Sequence, residues 1–316
     1  MIWVWVIIAS IFVISTVIML IYTNKIAKSV YTSLLTRKEG LRERICSAPD
    51  NEEQVKMWND GLVWAKENEK YKKDLKIKSE ELTLYGEYYD FGFDKCAVIL
   101  PGRSECLIYS YYFASPYKKS GCNVLCIDSR STGLSDGNYN TLGTKESVDI
   151  INWIKYLENT FDVHQFYLHS ICVGTSGALI ALNSKNCPES IKALISDGCY
   201  TSFRETFKRH MIEDKRPIFP VLDLVMLHIK LNTGAKILKD SPLRLIKKIN
   251  IPVLFLFSKQ DKFSIPKKAK ILFDACASDN KKLVWFENGA HSHIRINNTE
   301  KYDDKIKGFI KEVSAS

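Results

Sequence analysis

Three short stretches carry residue types able to do covalent chemistry. The first is Ser170-Ile171-Cys172-Val173-Gly174, which follows the strand-like QFYLHS and leads into the helix-like TSGALIAL. A tight strand-to-helix turn with a nucleophile at its apex and small residues two positions either side is a nucleophile elbow, usually written G-x-S-x-G. Here cysteine holds the apex and serine replaces the first glycine. Small flanks matter because the turn strains the backbone and brings neighbouring chains close. A helix N-terminus favours the thiolate, which is the reactive form of a thiol. The second stretch is Lys259-Gln260-Asp261 after PVLFLFS, and the third is His291-Ser292-His293 after KKLVWFENG. A carboxylate can orient an imidazole, and an imidazole can move protons. Taken singly, Cys172 also reads as a buried structural thiol, the commonest state of free cysteine. Two serines compete for the apex. Ser176, in GTSGA, nearly writes the serine motif but leaves too short a helix before KALISDG, and Ser170 has Leu168 and Cys172 as its flanks.

Positioning such groups requires a frame. LTLYGEYYDF (82–91), CAVILPG (96–102), NVLCID (123–128), QFYLHS (165–170), KALISDG (192–198), PVLFLFS (252–258) and KKLVWFENG (281–289) read as strands with helical segments between them. Near-continuous apolar strands in that alternation predict an α/β fold with a mostly parallel sheet covered on both faces. Reactive groups in such sheets collect on loops leaving the carboxyl ends of strands. The amphipathic stretch 203–245 is a candidate helical lid. Its Phe207, Phe219, Leu222, Leu224 and Leu227 either line an acyl pocket or simply pack. Asp128 and Arg130 read as turn braces, Cys96, Cys122, Cys126 and Cys199 as core fillers, and Asp197, at a strand end, as an alternative acid.

Composition bounds the rest. The 316 residues are 46% hydrophobic and 26% charged, which excludes disordered, collagenous and multi-pass membrane proteins. Nine cysteines contain no CxxC pair and no Cys/His cluster at zinc spacing, so neither a metal nor a cofactor is expected, and free thiols imply a reducing compartment. Ile2 to Tyr22 is 21 residues without a charge, enough to cross a ~30 Å hydrocarbon core at ~1.5 Å per residue. Trp3, Trp5 and Tyr22 sit at its ends, and the basic n-region of a cleavable signal is missing. Lys25, Lys28, Arg37, Lys38, Arg42 and Arg44 against Glu39 and Glu43 follow it, which predicts a single-pass anchor and a cytoplasmic catalytic body. Membrane-surface attraction accounts for part of the net charge of +9, and scattered lysines without an aromatic-basic motif argue against a nucleic-acid partner. The expected organisation is a transmembrane helix (2–22), a charged connector with helices (23–80) in which Trp58, Leu62, Val63 and Trp64 mark a packed helix, and one α/β domain (81–316).

From about residue 82 onward the chain resembles the α/β-hydrolase superfamily, in particular its bacterial serine-aminopeptidase-like and lysophospholipase-like branch. CAVILPGRSE (96–105) is similar to the branch's HG loop with Pro101 where histidine is usual, and IDSRSTGLSDG (127–137) to its D-x-R-G-x-G-x-S-x-G turn. LGTKESVDIINWI (142–154) is similar to the helix that follows. SPLRLIKKINIPVLFLFSKQDKFSIP (241–266) resembles the acid-bearing segment, and GAHSHIRINNTEKYDDKIKGFI (289–310) the histidine loop and last helix. The departures are Pro101, Arg130-Ser131 and the cysteine apex, which dienelactone hydrolases and polyhydroxyalkanoate synthases share. The resemblance implies the chain order nucleophile, acid, histidine: Cys172, then Asp261, then His291 or His293, with the spacing to Tyr302 favouring His291. It implies an oxyanion hole from the N–H groups of Val173 and Arg103, whose side chain is a candidate for an anionic substrate. It also implies a small acyl substrate, with esters and thioesters ahead of amides because a thiolate leaves the tetrahedral adduct more readily than an unprotonated amine. An acyltransferase using the same residues and a non-catalytic hydrolase-fold binding protein are the other readings.

Overall fold

The computed structural model describes residues 1–37, 44–103 and 105–315; Lys38, Glu39, Arg42 and Glu43 of the basic flank lie outside the described residues. Helices α1 (Ile2–Leu35) and α2 (Glu52–Glu67) precede an eight-stranded sheet. The strands are β1 (Lys72–Ser79), β2 (Leu82–Tyr89), β3 (Lys95–Leu100), β4 (Asn123–Ile127), β5 (Gln165–Ile171), β6 (Ile191–Asp197), β7 (Val253–Ser258) and β8 (Lys281–Phe286). Their order is β1-β2-β4-β3-β5-β6-β7-β8, with β1 and β2 antiparallel and β3 to β8 parallel. Short helices α3 (Leu107–Tyr111) and α4 (Ser115–Lys118) follow β3, α5 (Glu146–Phe161) follows β4, and α6 (Val173–Leu182) follows β5. Between β6 and β7 lie α7 (Phe203–Glu213), α8 (Val221–Thr233) and α9 (Pro242–Leu245), where the lid is expected. Helices α10 (Pro266–Ala275), α11 (Ile294–Asn297) and α12 (Thr299–Ala315) complete the chain.

Both sheet faces are covered, and the central strands are buried at almost every position. Val98, Leu125, Leu168 and Phe255 pack toward α5, α6 and α10, whereas their neighbours Ala97, Val124, Tyr167 and Leu254 pack toward α2, α3 and α12. Trp153 of α5 is fully buried against β2, and Gly86 makes the room: a Cβ there would lie 3.0 Å from the indole. Truncating such an indole to Ala would cost ~3–5 kcal/mol.

Strand β1 falls inside the segment expected to be a connector. KKDLKIKS is lysine-rich because β1 is an edge strand with one wet face; only Leu75, Ile77 and Ser79 are buried. The packed side of α2 also differs from expectation. Gly61 faces α3, where a Cβ would come within 3.1 Å of the Tyr112 nitrogen, so Met57 and Ala65 turn inward while Leu62 and Val63 are exposed.

Helix α1 runs unbroken past the end of the uncharged segment, and it is long and apolar enough to cross a membrane. From Thr23 it packs on the body, with Ala27, Tyr31 and Leu35 buried against α8 at helical spacing. A short antiparallel bridge, Thr36 with Tyr139, ties its end to the loop after β4: Arg37 N–H donates to the Asn138 carbonyl (2.7 Å) and Asn140 N–H to the Leu35 carbonyl (2.8 Å).

Candidate active site

Parallel register gathers the reactive loops along one edge. Leu100 lies beside Ser170, Ile171 beside Asp197 and Ser258 beside Phe286. The loops bearing Arg103, Cys172, Asp261 and His291 therefore leave neighbouring strands at the same, carboxyl, end of the sheet.

Cys172 occupies the turn between β5 and α6 with φ 51° and ψ −112°. That left-handed backbone in a residue with a side chain is strained, and it holds the thiol out of the strand. Gly174 is required on steric grounds, because a Cβ would sit 2.5 Å from the Leu100 carbonyl oxygen. The other flank has room for serine. Ser170 is fully buried, its hydroxyl donating to the Ile195 carbonyl (3.1 Å) and meeting Thr175 Oγ1 at 3.0 Å. The replacement of glycine by serine is thus paid in hydrogen bonds.

His291 Nδ1–H donates to Asp261 Oδ2 at 2.8 Å. The other carboxylate oxygen, Oδ1, accepts the N–H groups of Phe263 (2.7 Å) and Ser264 (2.8 Å), which fixes the carboxylate plane. Cys172 lies within hydrogen-bonding reach of the same imidazole. Burial opposes a charge on His291, but its neighbours Cys172 and Asp261 outweigh it and hold the imidazolium well above its ordinary value. Gly198, at φ +63°, lies behind the pair; a Cβ would meet His291 Cε1 at 3.3 Å. Phe263 packs edge-on against the imidazole (5.2 Å, 82°), His210 of α7 stacks on Phe263 (4.1 Å, 16°), and Tyr109 donates to the Ser292 carbonyl (2.9 Å).

These groups face a cavity of about 260 Å³. Gly102, Arg103 and Val173 form one wall, and Val173 N–H is among the first amides of α6, which have no helical acceptor. The Arg103 guanidinium donates to the Leu34 carbonyl at the end of α1, and both residues line the cavity. Phe203 and Phe207 of the lid, with Leu34, form the apolar wall. Phe207 is the one residue of the expected acyl set that reaches the cavity. Leu222 is buried against α1, whereas Phe219 and Leu227 face outward.

The rival residues are engaged elsewhere. Ser176 is buried with its hydroxyl 2.6 Å from Tyr200, and His293 Nε2–H donates to Gln54 Oε1 (2.8 Å). Asp197 accepts from Tyr302 (2.5 Å), not from His291. Asp128 accepts the N–H groups of Leu107 and Leu134, and Arg130 pairs with Asp149, so both brace turns as expected. Sequence reasoning did not single out Glu105, which lines the cavity and accepts from Ser47 (2.7 Å) and Gln54 (3.2 Å). Burial raises its carboxyl, against those donors and Arg103. Nor did it find Phe263, His210 or Leu34. Gly198 alone left a signal, as the glycine ending a strand-like run.

No family model matches this chain. It is 26% identical over 221 residues to the uncharacterized protein YqkD of Bacillus subtilis, covering 69% of this chain and 72% of that one. The esterase Pf2001 of Pyrococcus furiosus superposes with a TM-score of 0.66 at 21% identity, over 78% of this chain and 93% of the other. The esterase EaEST of Exiguobacterium antarcticum gives 0.58 at 16% identity, over 76% and 100%. Est1E of Butyrivibrio proteoclasticus, solved with ferulic acid, gives 0.58 at 16% identity, over 77% and 100%. The chain has the α/β-hydrolase fold.

Proposed function

We propose that this protein is a membrane-anchored acyl hydrolase that opens esters or thioesters through Cys172, His291 and Asp261. The observation that carries the reading is a cysteine in left-handed backbone at the start of α6, within reach of an imidazole that is itself bonded to a buried carboxylate. His291 is placed to take the thiol proton as general base, which turns Cys172 into the attacking nucleophile. Attack on the acyl carbon forms a C–S bond and an oxyanion, for which the N–H groups of Val173 and Arg103 are the donors. His291 gives its proton to the departing alkoxide or thiolate, leaving a thioester on Cys172. Water then attacks the thioester, His291 takes the water's proton, and the carboxylic acid leaves as the thiolate re-forms. Asp261 keeps Nδ1 protonated so that Nε2 faces the chemistry.

The segment Ile2–Tyr22 would be the anchor, with the basic residues after it holding the body in the cytoplasm. The neighbouring esterases share the fold and favour ester chemistry over other reactions that fold supports. To test the reading, the full chain in detergent or vesicles is given p-nitrophenyl esters and acyl thioesters. Cys172→Ala should lower kcat by ~10⁴-fold or more, while Ser176→Ala keeps it within a few-fold. Turnover that survives Cys172→Ala and is lost in Ser176→Ala would overturn the assignment.

A further inference from the structure

The level at which the lid meets α1 can be read from contacts. Apart from Thr16, every residue from Met1 to Tyr22 is exposed, and the packed face of α1 starts at Thr23. Helix α8 reaches that first packed turn. His228 Nε2 lies 3.0 Å from Asn24 Oδ1, and its ring stacks on Tyr31 (6.1 Å, 24°). His228 therefore stands within about one helical turn, ~5 Å, of Tyr22, the last residue of the expected span.

Around His228 the outward side of α8 carries exposed leucines among polar residues. Leu227 is 47% exposed and Leu231 70%, and Leu238, just beyond the helix, is 66% exposed. A groove of about 390 Å³ opens between α8 and the segment after it, with Met226, Leu227 and Leu238 in its walls. Its rim carries Lys230, Lys236 and Lys239; Asp223, the acidic residue in the groove, is paired with Arg204 at 2.7 Å. Lys25 and Lys28 of α1 are exposed beside Asn24. Apolar residues ringed by cations complement an anionic lipid surface, where leucines enter the headgroup boundary and each nearby lysine adds ~1 kcal/mol.

We propose that the outer face of the lid, α8 and residues 234–239, docks on the surface of an anionic lipid bilayer, the same bilayer that α1 crosses. The inference rests on the reading of Ile2–Tyr22 as a membrane span. It places lipid on one side of the lid and the catalytic cavity on the other: in α7, Phe203 and Phe207 line the cavity while Arg204 lines the groove.

The test uses the full chain with a fluorescent noncanonical amino acid at position 231, or at Lys185 as a reference. Lys185 is exposed in the loop leading into the amino end of β6, the edge opposite the lid. The chain is reconstituted into phosphatidylcholine vesicles with and without phosphatidylglycerol, each containing lipids brominated near the headgroup. The expected result is quenching several-fold stronger at 231 than at 185, increased by phosphatidylglycerol and reduced by salt. A chain that floats with the vesicles but shows equal quenching at the two positions overturns the docking and leaves the anchor intact. A chain that does not float removes the anchor, and the docking with it. Neither result depends on turnover, so a failure of the hydrolase assignment is seen separately.

Discussion

The molecule contains two pairings of histidine with aspartate near the carboxyl edge of adjacent strands, and they behave oppositely. His291 bonds Asp261 directly, faces a cavity with a thiol, and is held well above its ordinary pKa. His169 meets Asp197 only through the hydroxyl of Tyr302, with Tyr117 on its other nitrogen (2.6 Å), and all four side chains are buried. Burial, helped by the positive charge of Arg295, lowers His169 to about 3, while burial raises Asp197 to about 7. Identical residue types thus favour the charged imidazole where a carboxylate bonds the ring directly, and the uncharged forms of both residues where tyrosines intervene. Contact geometry decides between them, because a buried charge persists only with a direct counter-charge.

The largest effect that would break this contrast is Asp261→Asn. Loss of the carboxylate should lower kcat by ~10⁴-fold, as an amide orients the wrong tautomer, with little change in melting temperature. Single-turnover kinetics on a soluble thioester would measure it. Tyr302→Phe acts on the other pairing and should do the reverse. It leaves Asp197 Oδ2 without its donor, beside Oδ1, which has no partner among the described residues, so stability should fall by ~1–3 kcal/mol in urea titration while kcat stays within a few-fold.

The smallest effect is a slope. His169 folds with a depressed pKa, about 3, so its contribution to stability grows as pH rises between about 3 and 6.5. Asp197 folds with a raised one, about 7, so its contribution is present at low pH and lost as pH rises from about 4 to 7. In the wild type these slopes oppose each other. Asp197→Asn removes one, and its stability should climb between about pH 4 and 6 by up to ~1.4 kcal/mol per pH unit. A flat profile in that variant would mean that His169 is not held neutral.

How much was legible in the residues follows from the same distinction between local and long-range causes. The parallel strands were readable because each is an unbroken apolar run, and Cys172, Asp261 and His291 because each sits just past such a run. Strand β1 was not, since an edge strand with one wet face looks like a charged linker. Leu62 and Val63 were misread because the inward face of α2 is set by Gly61 approaching another helix, a contact hundreds of atoms distant in sequence terms. Glu105, Phe263 and His210 join the site only after three separate loops and the lid converge, which periodicity cannot foretell. Helix α1 was expected to stop near Tyr22. Its continuation to Leu35 follows from residues at three- and four-residue spacing that fit α8, a pattern masked by the lysines between them.

The hydrogen bond from Arg103 to the Leu34 carbonyl makes the end of α1 part of the cavity's frame. Leu34 lines the cavity, and Arg103, which holds it, follows Gly102 in a loop that lines the same cavity. Cutting the chain back to the start of the sheet for convenience of purification would unroof that cavity and slacken its rim. On the proposed function, a shortened form that keeps native turnover begins no later than Thr23, because the helix that leads into the body is also a piece of the cavity's mould.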